Sequence, residues 1–221
     1  MSSKDAVLVI DTAMEGCGVA VCRSDGAVFD AYHDDAFGQA QRLVPMVQDV
    51  LAKAGIGFDD VAGIVVCNGP GTFTGIRIGL SSAGAFGLAL DIPVYAVSSL
   101  QALAWCAAAH GLDAECLAIV ETRRQDFYVQ GFDVNGAPTG DAESLMAEGV
   151  DVQGRVLIGN AVARFDPDKL YKDLGLSRID VGEIGRRFLK SKDLFTSDLS
   201  PIYLRAPDVS QPKNKPRKIS S

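Results

Sequence analysis

Two histidines, five cysteines, two acid-threonine dipeptides and one glycine-rich run are the residues in this chain with the types and spacing to do chemistry. His33 and His110 lie 77 residues apart, and neither has another histidine four positions away. The one-turn helical spacing that lets two imidazoles share a metal ion is therefore missing. GLSSAG, residues 79–84, does not have the G-x-S-x-G spacing of a nucleophile elbow, and a Ser-His-Asp triad would have to draw on the same two histidines. Cys17, Cys22, Cys67, Cys106 and Cys116 are odd in number, include no C-x-x-C pair and lie mostly in apolar runs. They read as reduced, buried thiols rather than as disulfides or a zinc site. No catalytic residue and no metal site are expected.

Phosphate binding has more to recommend it. Asp11-Thr12 and Glu121-Thr122 each end an apolar run, and Arg123 and Arg124 follow the second. A threonine hydroxyl or a guanidinium at such a turn can reach a phosphate. Against this, the turn AMEG after Thr12 has no glycine where backbone would wrap an anion, and Glu15 adds repulsion there. Asp11, Thr12, Arg123 and Arg124 are thus the cofactor-binding candidates, with inherited scaffold as the competing reading.

GPGTFTGIRIG, residues 69–79, asks what approaches so bare a backbone. A phosphate at a helix N-terminus is one answer and a second protein is the other. Gly75, Gly79, Ala83 and Gly87 recur every four residues and form a stripe without side chains along the helix that follows. Its interior glycines Gly79, Gly84 and Gly87 cost an isolated helix about 2.5–3 kcal/mol relative to alanine. A close neighbour must offset that, approaching nearer than the usual ~8–10 Å between helix axes. The neighbour is either the chain's own helix 39–54 or another protein. The unusually broad apolar arc of helix 39–54, where Val44 and Met46 flank the face of Leu43 and Val47, favours another protein.

The elements that must position these groups follow from periodicity. Residues 7–11, 18–22 and 27–33 are apolar runs split by short turns and read as a β-meander. Residues 39–54 read as an amphipathic helix, 61–67 as a buried strand, 74–90 as a helix and 93–97 as a strand. Ser98 and Gln101 have capping-box spacing at the head of a helix reaching about His110. Residues 7–26 and 117–136 then repeat one plan at an offset of 110 residues, placing Asp11 on Glu121 and Gly26 on Gly136. The repeat predicts two related α/β lobes: 1–100, carrying the partner-binding helices, and 101–210. Beyond them come a strand and turn at 155–162, a helix at 181–190, an extended segment at 201–207 and a basic, unstructured tail at 211–221.

Composition narrows the function classes. With 221 residues and 48% hydrophobic content the chain can bury a sizeable core. The charge-free stretch 92–112 has the length of a membrane span, but Ser98, Ser99, Gln101, His110 and Gly111 interrupt it, and it reads as strand then helix. No basic segment precedes an apolar one at the start, so cytoplasmic localisation is expected. The net charge is −7, and setting aside the four cations Lys213, Lys215, Arg217 and Lys218 leaves −11 on the remainder. Such a body repels phosphate backbones, which argues against autonomous nucleic-acid binding.

Duplicated lobes whose opening strand ends in Asp-Thr are the plan of the actin, hexokinase and Hsp70 superfamily. In order, VIDTAMEGCGVAV, AQRLVPMV, NGPGTFTGIRIGLSSAGAFGLALDIPVYAVSSLQALA, ETRRQDFYV and PIYLRAP resemble the segments of the TsaB family, also called YeaZ, over nearly the whole chain. The resemblance implies a two-lobed actin-like α/β fold. It also implies a non-catalytic partner of TsaD in forming threonylcarbamoyladenosine in tRNA, an inactive paralogue serving as an essential subunit. By the same resemblance the two helices join the matching pair of TsaD, or of a second copy when the chain is alone. That makes Leu43, Val44, Met46, Val47, Gly71, Phe73, Gly75, Arg77, Gly79, Ala83 and Gly87 the expected interface. TsaE is expected through the complex, tRNA only indirectly, and a nucleotide, if any, at the heteromeric interface rather than in the isolated chain. Gln39-Ala40 and Glu121-Thr122 depart from the family's usual His-Ser and Asp-Ala. The alternatives are a stand-alone ATP-dependent kinase or metallopeptidase, or a homodimeric module with no RNA role.

Overall fold

The computed structural model describes residues 4–35, 38–122, 124–165 and 172–205. Each half of the chain builds one five-stranded sheet. The first comprises β1 (Ala6–Asp11), β2 (Cys17–Arg23), β3 (Val28–His33), β4 (Val61–Cys67) and β5 (Val94–Val97), in the order β3-β2-β1-β4-β5. The second comprises β6 (Cys116–Glu121), β7 (Asp126–Phe132), β8 (Glu143–Met146), β9 (Val156–Ile158) and β10 (Lys172–Asp173), in the order β10-β9-β6-β7-β8. In both, the first three strands pair antiparallel, and the first also pairs parallel with the fourth, which pairs parallel with the fifth. The internal repeat is therefore structural. Its hairpin turns match bond for bond: Arg23 N–H donates to Ala27 O and Gly26 N–H to Arg23 O, as Asp133 N–H does to Ala137 O and Gly136 N–H to Asp133 O. Gly26 and Gly136 both have positive φ, at 91° and 77°, which explains why glycine recurs there.

Strand alternation decides what each sheet faces. Leu8, Ile10, Val19, Val21, Ile64 and Val66 point outward and are covered by α1 (Gln39–Lys53) and α2 (Phe73–Leu90). Val7, Val9, Ala20, Cys22, Val65 and Cys67 point inward, into a core shared with Ala118, Val120, Phe132 and Ile158 of the second sheet. Between the sheets lie α3 (Ser99–Ala109) and α4 (Val181–Lys190). They are exchanged: α3 packs on β6, β7 and β9, while α4 packs on β1, β2 and β3. A methyl on Gly185 would overlap Cys22 Sγ, so that glycine lets α4 lie directly on β2.

Several expectations change on folding. At the head of α3, Ser98 Oγ accepts the Gln101 N–H at 3.1 Å, but the Gln101 amide donates to Gly136 O at 2.5 Å instead of closing the capping box. The short strands β8 and β10 escape detection by periodicity. Among the described residues the second half has no counterparts of α1 and α2. At those places it has the one-turn 3-10 segments Ala147–Gly149 and Val162–Arg164, and Val150, Val152, Val162 and Phe165 cover the outer face of its sheet. Of the extended segment expected at 201–207, residues 201–205 are described and join neither sheet, while Ala206, Pro207 and the basic tail lie outside the described residues. The stretch 92–112 is β5 and α3, as expected. By length and composition α2 could itself cross a bilayer, but here it is the crossover between adjacent parallel strands β4 and β5.

Candidate functional site

The glycine-rich run and the first acid-threonine pair form one unit. β1 delivers Asp11 into the interior, where it is 2% exposed and its carboxylate accepts the Ala13 N–H at 3.0 Å. Burial pushes the carboxyl up to about 6, against the lowering effect of hydrogen bonds from Ala13, Cys67 and Met14. The Thr12 hydroxyl, also buried, donates to Gly75 O at 2.7 Å, and the Thr72 N–H donates to Ala13 O at 2.7 Å. Gln39, at the head of α1, donates to Gly16 O at 2.5 Å. A methyl on Gly71 would overlap Ala13 O, one on Gly75 would overlap Thr12 O, and one on Gly79 would sit 2.6 Å from Thr12 Oγ1. What approaches the glycines is thus the turn after β1.

This geometry corrects two expectations. Asp11 and Thr12 spend their polar atoms inside the chain: the amides of Ala13 and Met14 that would face a phosphate at this turn are bonded to the Asp11 carboxylate, and the Thr12 hydroxyl is held by Gly75. The turn does not fit a phosphate. Second, the stripe Gly75, Gly79, Ala83 and Gly87 is buried and faces neither helix 39–54 nor another protein. It lies on the chain's own first sheet, with Gly79 against Val66 and Gly87 against Val94. Leu43 and Val47 are likewise buried in the core beneath α1. The physical reason for the stripe is that a helix packed closely on a strand calls for the same small residues as two helices packed together.

At the second hairpin, Thr122 Oγ1 lies 2.8 Å from both the carbonyl and a carboxylate oxygen of Asp126 and accepts the Arg124 N–H at 3.1 Å. Burial alone would raise the Asp126 carboxyl, but Ser144, Thr122 and the Arg205 guanidinium outweigh it and hold it below the usual range. Arg205 contacts both carboxylate oxygens, at 2.9 and 3.0 Å. Glu121 pairs with Arg164 and its N–H donates to Asn160 Oδ1 at 2.9 Å. The departure at Glu121-Thr122 is thereby absorbed into internal contacts. Between the two hairpins lies a cleft of about 640 Å³, lined by Met14, Glu15, Gln39, Thr74, Arg124, Asn160 and Arg205 among others. Arg124 therefore does border a cavity, whereas Asp11 and Thr12 are not among its lining residues. Arg123 lies outside the described residues.

Potential nucleophiles and metal ligands are dispersed. His33 is on β3, and His110 caps α3 with Nδ1 2.7 Å from Cys106 O. All five cysteines are free and buried, and burial pushes the thiols of Cys17, Cys22, Cys106 and Cys116 up to about 12, far from a reactive thiolate. Among the described residues no three His, Cys, Asp or Glu side chains are grouped to hold a metal.

The outward face of α1 and α2 is the other exposed feature of the described residues. Val44 is 43% exposed, Phe73 52% and Leu88 86%. Ala40, Pro45, Ala52, Ala85 and Ala89 add small apolar surface, Arg77 is exposed, and Met46 and Gly71 are half-buried. Of the expected interface, only Val44, Phe73 and Arg77 stand fully at the surface. Sequence reasoning missed Leu88, on the side of α2 away from the stripe, and Tyr203, whose ring lies against Phe73. The lack of a polar face on α2 could have found the first. Nothing local could have found the second, 130 residues away from Phe73.

Residues 38–187 match the family model described as TsaD, tRNA N6-adenosine threonylcarbamoyltransferase. The chain is 34% identical to the tRNA threonylcarbamoyladenosine biosynthesis protein TsaB of Escherichia coli, over 90% of this chain and 94% of that one. It is 30% identical to TsaB of Haemophilus influenzae, over 55% of this chain and 51% of that one. Among solved structures, YeaZ from Pseudomonas aeruginosa superposes with a TM-score of 0.76 at 28% identity, covering 90% of this chain and all of the other.

Proposed function

Since the chain belongs to the TsaB family of two-lobed actin-like α/β proteins, we propose that it serves threonylcarbamoyladenosine formation in tRNA as a non-catalytic partner. It docks a TsaD-type homologue through the outward face of α1 and α2. The observation that carries this reading is an exposed apolar face: Val44, Phe73 and Leu88 stand at the surface of the described residues, on helices whose other side is committed to the first sheet. Large exposed apolar patches of this kind mark protein interfaces. The absence of a chemical role follows the same logic, because Asp11, Thr12, Glu121 and Thr122 all spend their polar atoms inside the chain. In this reading the chain pairs with a second copy when alone, meets tRNA and a TsaE-type protein only through the complex, and any nucleotide belongs to the heteromeric interface.

The test is a titration of the chain against the TsaD homologue of the same organism. Replacing Val44 and Leu88 together with Asp should leave the melting temperature within a few degrees of the parent, since exposed substitutions change stability by about 0.5 kcal/mol or less. Affinity for the homologue should fall about a hundredfold, because two apolar anchors are lost. An unchanged Kd ends this reading.

A further inference from the structure

Arg77 is prepared for a contact the chain does not make. It projects from the second turn of α2, its guanidinium carbon 3.6 Å from the centroid of the Phe73 ring, and its Nε donates to Tyr203 Oη at 3.2 Å. The Phe73 and Tyr203 rings are in turn 5.6 Å apart, tilted by 31°. Tyr203 is held by the segment that carries it: Ile202 N–H donates to Asn68 O at 2.8 Å, the Asn68 amide donates to Ser200 O at 2.9 Å, and Arg205 is anchored on Asp126. A long, rotamer-rich side chain is thereby held over the Phe73 ring, although it is exposed. Among the described residues no carboxylate pairs with it, and of its donors only Nε has a hydrogen-bond partner there, Tyr203 Oη. A pinned guanidinium with a free edge matches the two oxygens of a carboxylate and binds it at little entropic cost.

We infer that Arg77 receives an Asp or Glu carboxylate from the facing surface of the docking partner, at the centre of a site whose apolar walls are Phe73 and Tyr203. The inference rests on the proposed docking of a TsaD-type homologue. Charge argues for that occupant over a second copy. α1 and α2 carry Arg42, Lys53 and Arg77 against the single carboxylate Asp49 in a chain of net charge −7, so two copies bring mainly cations together, whereas an acidic partner face complements them. The apolar surroundings and the acidic body favour a protein carboxylate over an RNA phosphate.

Calorimetric titration of the full chain with the TsaD homologue tests this at low and moderate salt. Arg77→Gln should weaken binding at least about tenfold with an unchanged melting temperature, as expected for an Arg hot spot. Arg77→Lys should recover only part of the loss, because a point charge replaces the fork. Tyr203→Phe, which removes the hydroxyl that fixes Nε, should weaken binding about threefold or more. Arg77→Gln binding within twofold of the parent overturns the inference while leaving the docking reading intact. A variant that binds the homologue normally but whose complex no longer retains tRNA overturns it in favour of a phosphate. If the parent chain itself does not bind, the docking reading fails and this inference falls with it.

Discussion

Gly75→Ala is expected to destabilise the chain by about 3 kcal/mol or more, an overpacking cost at the upper end of the usual range. The added methyl meets the Thr12 carbonyl, which is backbone at the end of β1 and has no rotamer by which to move aside. It would also press on Thr72 Oγ1, the N-cap that accepts the Gly75 N–H at 3.2 Å. Relief requires α2 to lift from the sheet, which breaks the Thr12 hydroxyl bond to Gly75 O and exposes Ile76. Gly84→Ala on the same helix is the control. A Cβ there meets nothing within 4 Å, so the helix should gain up to about 1 kcal/mol of propensity. Urea unfolding of both variants checks the pair. Equal effects, or a stable Gly75→Ala variant, would contradict the close approach of α2 to the turn after β1.

Asp11→Asn is expected to stabilise the chain at neutral pH and to do nothing at pH 3. In the folded chain this carboxyl ionises near 6, against 3.8 for its ordinary value, because burial disfavours the charge. A carboxyl whose folded value is raised leaves the unfolded state more readily ionised. Its penalty is absent below about 3.8, grows between 3.8 and 6, and is complete above 6. The full difference corresponds to about 3 kcal/mol. Asparagine cannot ionise, keeps an oxygen for the Ala13 N–H and turns its amide towards Cys67. Stability curves of the two proteins should therefore coincide at low pH and separate progressively up to pH 6. Parallel curves across that range would show that Asp11 ionises normally. A buried acid kept at such a cost serves here as an internal anion, bonded to the turn amides that a phosphate would otherwise take.

Much of the architecture is a local property and was legible in residue order. The continuous apolar runs at 7–11, 18–22 and 117–121 mark strands with two buried faces, and the 110-residue offset between Asp11 and Glu121 foretells two sheets of one topology. Gly26 and Gly136 announce hairpins because a positive φ is a demand on one residue alone. The candidate site was less legible. Gly75, Gly79, Ala83 and Gly87 declare that something comes close, but spacing along a helix does not say whether the neighbour is a strand of the same chain or a helix of another. Only the tertiary structure decided that the stripe lies on the first sheet, that Asp11 is buried behind its own turn, and that Tyr203 meets Phe73 and Arg77. The physical reason is that periodicity records which residues share a face, a matter of neighbours within four positions. What that face meets depends on contacts closed over scores of residues, such as Thr12 with Gly75 and Arg205 with Asp126, which no local pattern encodes.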